Sequence, residues 1–399
     1  MSTLRLTMES VAHGGHCVAR HEGRVIFVRH ALPGEVVEAA VTEQAEAAPY
    51  WRADAVEILE PSKDRVPSAW PAAGPGGVGG AELSHVALEA QRRWKLTVLQ
   101  DSFERFAHRD FPGAMKAAPG DDARGGLRWR TRVGAVTDAQ GRAAMHAPRS
   151  AGIQVLEDMP LAVERAERAL LDQRFSAHAQ VSVVAPEGSD AIHILVDGAP
   201  WRSGKRDQRA NAPAHVSETV TVADKEYHYR VSTAGFWQVH REAPGVLVTE
   251  VLDRVAGADS VADLYAGAGL FSVPLADAGA RVTMIESHPL AAKAARRNLH
   301  AHPDATVIEG DVRRTLKSGI GHHDVVVLDP PRSGVGHATI DALMEMHAPR
   351  LVYVACDPVA LARDTGLLAE RGYDLVDATA WDLFPMTHHM EVVATFERR

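Results

Sequence analysis

Near residue 235 the hydrophobic rhythm of this chain changes, and the new rhythm leaves few folds open. Short runs dense in Val, Ile and Leu, at residues 260–265, 281–286, 305–309, 324–329 and 351–355, read as strands. Helical patterns separate or precede them, one around Val246, Leu247, Val251 and Leu252 and another over 289–300. Strands that are apolar along their whole length must be covered on both faces. In an alternating strand–helix chain this means a mostly parallel, doubly wound α/β sheet. Two further strands, near 373–378 and 390–396, have no helix between them, so the last is expected to run antiparallel.

Upstream the pattern is different. Leu4, Leu6 and Met8 alternate with polar neighbours, His13-Gly14-Gly15 is a turn, and residues 24–28 form a strand. Pro33-Gly34 breaks the chain before Val36, Val37 and Val41, and 53–59 form another strand. Strands at this spacing predict a small β-barrel of the oligonucleotide-binding kind over residues 1–61. A β-domain without a ligand has the same pattern, and this segment carries more Asp and Glu than Lys and Arg. Residues 67–81 are too rich in Gly and Pro for regular structure and read as a linker or surface loop. A helix over about 87–107 follows, with Leu88, Val98, Leu99, Phe103 and Phe106 on its apolar face. Strands at 127–136, 181–184, 192–196, 220–222 and 227–231 complete a central α+β region over 62–234. The α/β sheet then occupies 235–399.

Composition narrows the class. A chain of 399 residues holds two or three domains, and 46% hydrophobic with 24% charged residues is ordinary for globular proteins. No run approaches the roughly 18 apolar residues of a membrane helix, and no charged-then-apolar leader opens the chain, so a cytoplasmic protein with no membrane contact is expected. Two cysteines, Cys17 and Cys356, are too few for a disulfide framework or a cysteine-ligated zinc or iron–sulfur site. With a net charge of −9, any RNA surface must be a local basic patch. Arg124, Arg128, Arg130 and Arg132, with Lys205, Arg206 and Arg209, make the central region the candidate phosphate-contacting surface; a solvated charged face is the alternative.

The turn after the first α/β strand reads Asp263-Leu264-Tyr265-Ala266-Gly267-Ala268-Gly269-Leu270-Phe271. Gly267 and Gly269 allow a sharp bend and a close approach to a ligand. A dinucleotide site would want a third glycine, but Ser272 holds that place. Acids open the loop (Asp263), end the second strand (Glu286) and follow the third (Asp311). Glu286 is placed to take ribose hydroxyls and Asp311 to accept from an adenine amino group. Three acids with no cation for a pyrophosphate suit S-adenosylmethionine better than NAD; loop and capping acids would look alike.

Asp329-Pro330-Pro331-Arg332 ends the fourth strand, in the crevice where such sheets bind ligands. In amino-group methyltransferases an aromatic residue follows Asp/Asn-Pro-Pro; Arg332 here argues against an exocyclic nitrogen as acceptor. The fifth strand delivers Cys356, followed by Asp357-Pro358. A cysteine there is placed as a nucleophile, although free cysteines are often simply buried. Attack of a thiolate at C6 of a uracil would make C5 nucleophilic toward a sulfonium methyl, and a base must then remove the C5 proton. Such a thiolate calls for a nearby cation or proton acceptor. Glu391, at the entrance to an apolar last strand, is the candidate base, with an exposed strand-start acid as the alternative. His388 and His389 read as loop residues, with no third ligand spaced for a metal.

Together these segments resemble the S-adenosylmethionine-dependent RNA uracil-5 methyltransferases that act on tRNA or ribosomal RNA. Phe27-Val28 and Ala31-Leu32-Pro33-Gly34-Glu35-Val36-Val37 are similar to the TRAM barrel, and Phe236-Trp237-Gln238-Val239 to the family's Phe-Phe-Gln segment. The Asp329–Arg332, Ala355–Pro358 and His389–Glu391 segments complete the set. The resemblance implies a Rossmann-like methyltransferase sheet and RNA as partner, with no obligatory protein partner. It makes Gln238, Tyr265, Glu286, Asp311 and Asp329 cofactor contacts, Cys356 the nucleophile and Glu391 the base. Leu270 replaces a polar cofactor contact of some members. Many members also hold an iron–sulfur cluster on cysteines, where this chain has Trp70, Pro75 and Ala81, so no cluster is expected. Two rivals stay open: cytosine-5 methylation, separable by tritium release from labelled RNA, and an RNA-binding protein without catalysis.

Overall fold

The computed structural model describes residues 3–44, 48–147, 152–209, 212 and 214–399. The α/β class expected from the sequence is the one observed. Its sheet has eight strands in the order Thr306–Glu309, Arg281–Glu286, Ser260–Leu264, Val325–Leu328, Arg350–Ala355, Glu391–Arg398, Tyr373–Asp382, Met115–Ala117. The first five run parallel. Glu391–Arg398 is antiparallel to both of its neighbours, as the missing crossover helix requires. Every residue of Ser260–Leu264 and Val325–Leu328 is buried. Their side chains alternate between two cores: Val261, Val325 and Val327 face one, while Ala262, Val326 and Leu328 face the other. Strand order reverses between Ser260–Leu264 and Val325–Leu328, which opens a crevice at their C-terminal ends.

Two segments upstream of 235 join this sheet. Helix Leu88–Ala107 packs on helix Pro358–Glu370, placing Leu99 and Phe103 in one core with Leu361 and Leu368. Met115–Ala117 then runs as the parallel edge strand beside Tyr373–Asp382. The hairpin of His215–Val222 and Lys225–Ser232 packs on helix Pro289–Asn298.

The remaining central strands form a seven-stranded antiparallel sheet. Its strand expected over 127–136 is shorter, Arg132–Thr137. Arg128 has a positive φ of 58°, and the backbone N–H groups of Arg128 and Arg130 donate to Pro160 and Leu161 instead of a strand neighbour. The Gly/Pro-rich stretch is packed: Trp70 is 2% exposed, its Nε1 donates to Asp158, and Ala73, Val78 and Ala81 share its core. The N-terminal six-stranded sheet encloses Cys17, Ile26, Val28, Val37 and Ala39. Among the described residues no helix is long and apolar enough to cross a membrane.

Candidate active site

The pairing register brings the two reacting candidates together. Ala355 lies opposite Val392 on the antiparallel neighbour, so Cys356, which follows the one, and Glu391, which precedes the other, emerge at the same sheet end, and both line one cavity. One strand further, Asp329 follows Leu328, which pairs with both Leu264 and Tyr353. The Asp329 N–H donates to the Leu264 carbonyl, so Tyr265 and Asp329 leave their strands side by side.

A cavity of about 690 Å³ opens over these strand ends. Gln238, Tyr265, Gly267, Glu286, Asp329, Cys356 and Glu391 line it, as do Arg130, Leu270, Arg332 and Phe384. Its volume suits a drug-sized molecule with room for a further group. Tyr265 and Gly267 both take positive φ, 63° and 57°, and no protein atom lies within 4 Å of where a Gly267 Cβ would project. The turn therefore needs glycine for its conformation and leaves open space in front of it. Glu286 accepts the Gly267 N–H at 2.8 Å and the His288 N–H at 2.6 Å, which fixes its carboxylate at the cavity edge. Ser272 donates to Asp263 Oδ2 at 2.5 Å, while the buried Asp263 Oδ1 has no partner.

The electrostatics are those of acids out of water. Burial, opposed by the Ser272 bond and assisted by Glu286, pushes Asp263 up to about 7. Burial and Asp263 push Asp329 up to about 7. Burial and then Asp329 hold Glu391 well above the usual carboxylate range, with Arg332 acting the other way. Burial, Glu391 and Asp329 push the Cys356 thiol up to about 12, again against Arg332. The cation expected beside the thiol is therefore present as Arg332, but the acids outweigh it. Such a cavity fits a cationic ligand with hydrogen-bond donors. A sulfonium would favour the ionised carboxylates, and an adenosyl group brings hydroxyls for Glu286.

Other expected residues fall elsewhere. Asp311 is exposed and caps helix Val312–Lys317, its side chain accepting the Arg314 N–H, and it does not line the cavity. Gly269, with φ of 89°, shapes the turn from behind the lining residues. Of the three arginines named as candidates for touching phosphate, two are held in ion pairs and one lines the cavity. Arg128 is paired with Glu167, and Arg132 with the buried Glu218 at 2.7 Å. Arg130 lines the cavity, its Nε donating to the Arg132 carbonyl and its guanidinium held below the ordinary value by burial.

Sequence reasoning missed several neighbours. Phe236 is 76% exposed at the cavity wall; its place beside Gln238 was the available signal. His13, from the N-terminal sheet, lies 3.6 Å from Asp357 and edge-on to His388. His388 lies tilted against His389, ring centres 4.0 Å apart, and faces Glu82 at 3.4 Å. Nothing local in the sequence marks that contact. Gln91 and Lys95 on helix Leu88–Ala107 grip the loop before Glu391. Gln91 accepts the Met386 N–H at 2.7 Å, and Lys95 donates to the Phe384 carbonyl at 3.0 Å and to Asp382.

Three family models match this chain: TRAM domain over residues 1–55, methyltransferase small domain over 242–351, and tRNA (uracil-5-)-methyltransferase over 317–399. An RNA methyltransferase of Bifidobacterium longum is 40% identical over 436 aligned residues, covering 100% of this chain and 97% of its own. The chain belongs to the TRAM-bearing RNA uracil-5 methyltransferases. Within that family, the 23S rRNA (uracil(1939)-C(5))-methyltransferase RlmD of a Shewanella species is 28% identical over 98% of this chain and 95% of its own. The fold is shared with the tRNA (uracil-54, C5)-methyltransferase of Pyrococcus abyssi, solved with S-adenosyl-L-homocysteine. The TM-score is 0.72 at 19% identity, covering 98% of this chain and 100% of that one.

Proposed function

We propose that this protein methylates C5 of a uridine in ribosomal RNA or tRNA, with Cys356 as nucleophile and Glu391 as base. S-adenosylmethionine supplies an electrophilic methyl group on sulfur. Gln238, Tyr265, Gly267, Glu286 and Asp329 are the residues of this chain that would hold it. The Cys356 thiol gives up its proton to solvent, the thiolate sulfur forms a bond to C6 of the uracil, and the C5–C6 electron pair moves toward O4. C5 takes the methyl group as its bond to the sulfonium sulfur breaks. The Glu391 carboxylate then removes the C5 proton, the C5–C6 double bond re-forms, and the sulfur–C6 bond breaks to return the thiolate. Arg332 and Arg130 in the cavity wall oppose the negative charge that develops on the ring. Phe236 offers an exposed aromatic face on which an unstacked base can rest.

The observation that carries this reading is that Cys356 and Glu391, at the paired ends of neighbouring strands, line one cavity with the cofactor turn. Tritium release from uracil-5-labelled RNA tests it. Release should occur with uracil label and not with cytosine-5 label, and should vanish in Cys356→Ala; release from the cytosine label would contradict it. The same reading puts the enzyme in the cytoplasm, as the sequence leads one to expect. Mapping which 5-methyluridine disappears from a deletion strain assigns the RNA.

A further inference from the structure

The three arginines expected to meet phosphate are occupied or buried, yet an acidic protein that handles RNA needs a local basic surface. Another group of cations lies at the cavity mouth. Helix Pro289–Asn298 lines the cavity with Leu290, Ala291 and Ala294, and Leu290 is 55% exposed. Lys293 and Arg297 follow Leu290 at spacings of three and seven, so they stand on the face adjoining the lining residues. Strand Lys225–Ser232, whose last two residues also line the cavity, brings Arg230 to the same place. Its position is fixed by Asn298. The Arg230 N–H donates to Asn298 Oδ1 at 2.9 Å, and Asn298 Nδ2 donates to the Arg230 carbonyl at 3.2 Å and to the Ala268 carbonyl in the cofactor turn at 2.9 Å.

Arg230, Lys293 and Arg297 are all exposed, and among the described residues none has a carboxylate within ion-pair distance. The neighbouring Arg296, by contrast, is paired with Glu309 at 3.1 Å. His215 sits among them, with Arg230 Nη2 3.1 Å from its Nδ1. Burial and then the fields of Arg230, Lys293 and Arg297 lower its proton affinity, and no acid acts the other way. Like charges one helical turn apart oppose folding, and the helix C-terminus compensates Arg297 but not Lys293. A surface that gathers unpaired cations beside an exposed apolar rim is suited to a polyanion whose bases enter the cavity.

We propose that Arg230, Lys293 and Arg297 form a phosphate-binding rim that holds the RNA backbone next to the nucleotide entering the cavity. The rim rests on the RNA-methylating reading above and adds the surface that reading lacks. Its test uses the full-length protein, a labelled poly(U) oligomer of about 30 nucleotides, and salt from about 50 to about 200 mM. R230A/K293A/R297A should lower poly(U) affinity about tenfold or more at low salt and reduce the salt slope by about 2, at roughly 0.7 per lost single-strand phosphate contact. R296A should change neither, S-adenosylhomocysteine affinity should stay within about twofold, and the charge-keeping K293R/R297K should bind like wild type. Unchanged poly(U) affinity and slope in the triple variant overturn the rim. So does a loss confined to S-adenosylhomocysteine binding, which would assign the cations to the cofactor. Methylation of unmodified RNA by the wild type, measured alongside, fails only if the proposed function is wrong.

Discussion

In the proposed mechanism Cys356 is a nucleophile held in reserve. Burial, and then Glu391 and Asp329 beside it, push its thiol up to about 12, so the free enzyme should carry little thiolate near neutral pH. Alkylation of Cys356 by iodoacetamide should therefore rise about tenfold per pH unit between about pH 7 and about pH 10. Peptide mapping reads the rate, and a plateau below about pH 8.5 would contradict the acidic surroundings described here. Cys17 is fully buried, donates to the Ala31 carbonyl, and should stay unlabelled in the folded protein. Glu391 answers a different question. Glu391→Gln should still form the sulfur–C6 bond and methylate but fail to remove the C5 proton, leaving RNA attached on denaturing gels. Absence of attached RNA would take the base role from Glu391.

At the scale of elements, the segment between Tyr373–Asp382 and Glu391–Arg398 is held from outside the sheet. Lys95 and Asp382 are both fully buried, and Lys95 also donates to the Phe384 carbonyl. Removing one member of such a pair leaves a buried charge alone, so Lys95→Met should cost about 3–5 kcal/mol in urea unfolding. Lys95→Met with Asp382→Leu should recover most of that loss; a single variant as stable as wild type would mean the pair is not coupled. The sequence showed the strands and the cofactor turn because their signals are local: unbroken apolar runs, two glycines, an acid at a strand end. Cys356 and Glu391 were legible for the same reason, each standing at the end of an apolar strand. Contacts made by the tertiary fold left no such mark. Met115–Ala117 is three residues long and is a strand only because Tyr373–Asp382 lies beside it. His13, in a turn of the N-terminal sheet, meets Asp357 at the start of helix Pro358–Glu370. The pairing of Arg132 with Glu218 was not legible either, because the two lie on different strands.

For the whole molecule, acids concentrated under the cavity make folding depend on pH. Asp263 and Asp329 are raised from 3.8 to about 7, so the folded protein keeps protons that the unfolded chain has released. Their contribution to stability is thus present below about pH 4 and lost as pH rises toward about 7, by up to about 1.4 kcal/mol per unit for each group. Asp329→Asn removes one of these carboxyls, and in urea unfolding it should gain on wild type between about pH 5 and about pH 7.5. A gain that runs in the opposite direction would mean that Asp329 is ionised in the folded protein. The same acids leave room for a cationic cofactor, while the cations at the mouth face the RNA. The molecule separates the two ligands by charge.

The most direct measurement concerns the bond between protein and RNA. RNA carrying 5-fluorouridine, incubated with the enzyme and S-adenosylmethionine, gives C5 a fluorine that Glu391 cannot remove as a proton. Mass spectrometry should then find the methylated nucleotide attached to the peptide that contains Cys356. If unfluorinated RNA is methylated at C5 while the fluorinated RNA leaves no attachment at Cys356, covalent catalysis by that residue is contradicted.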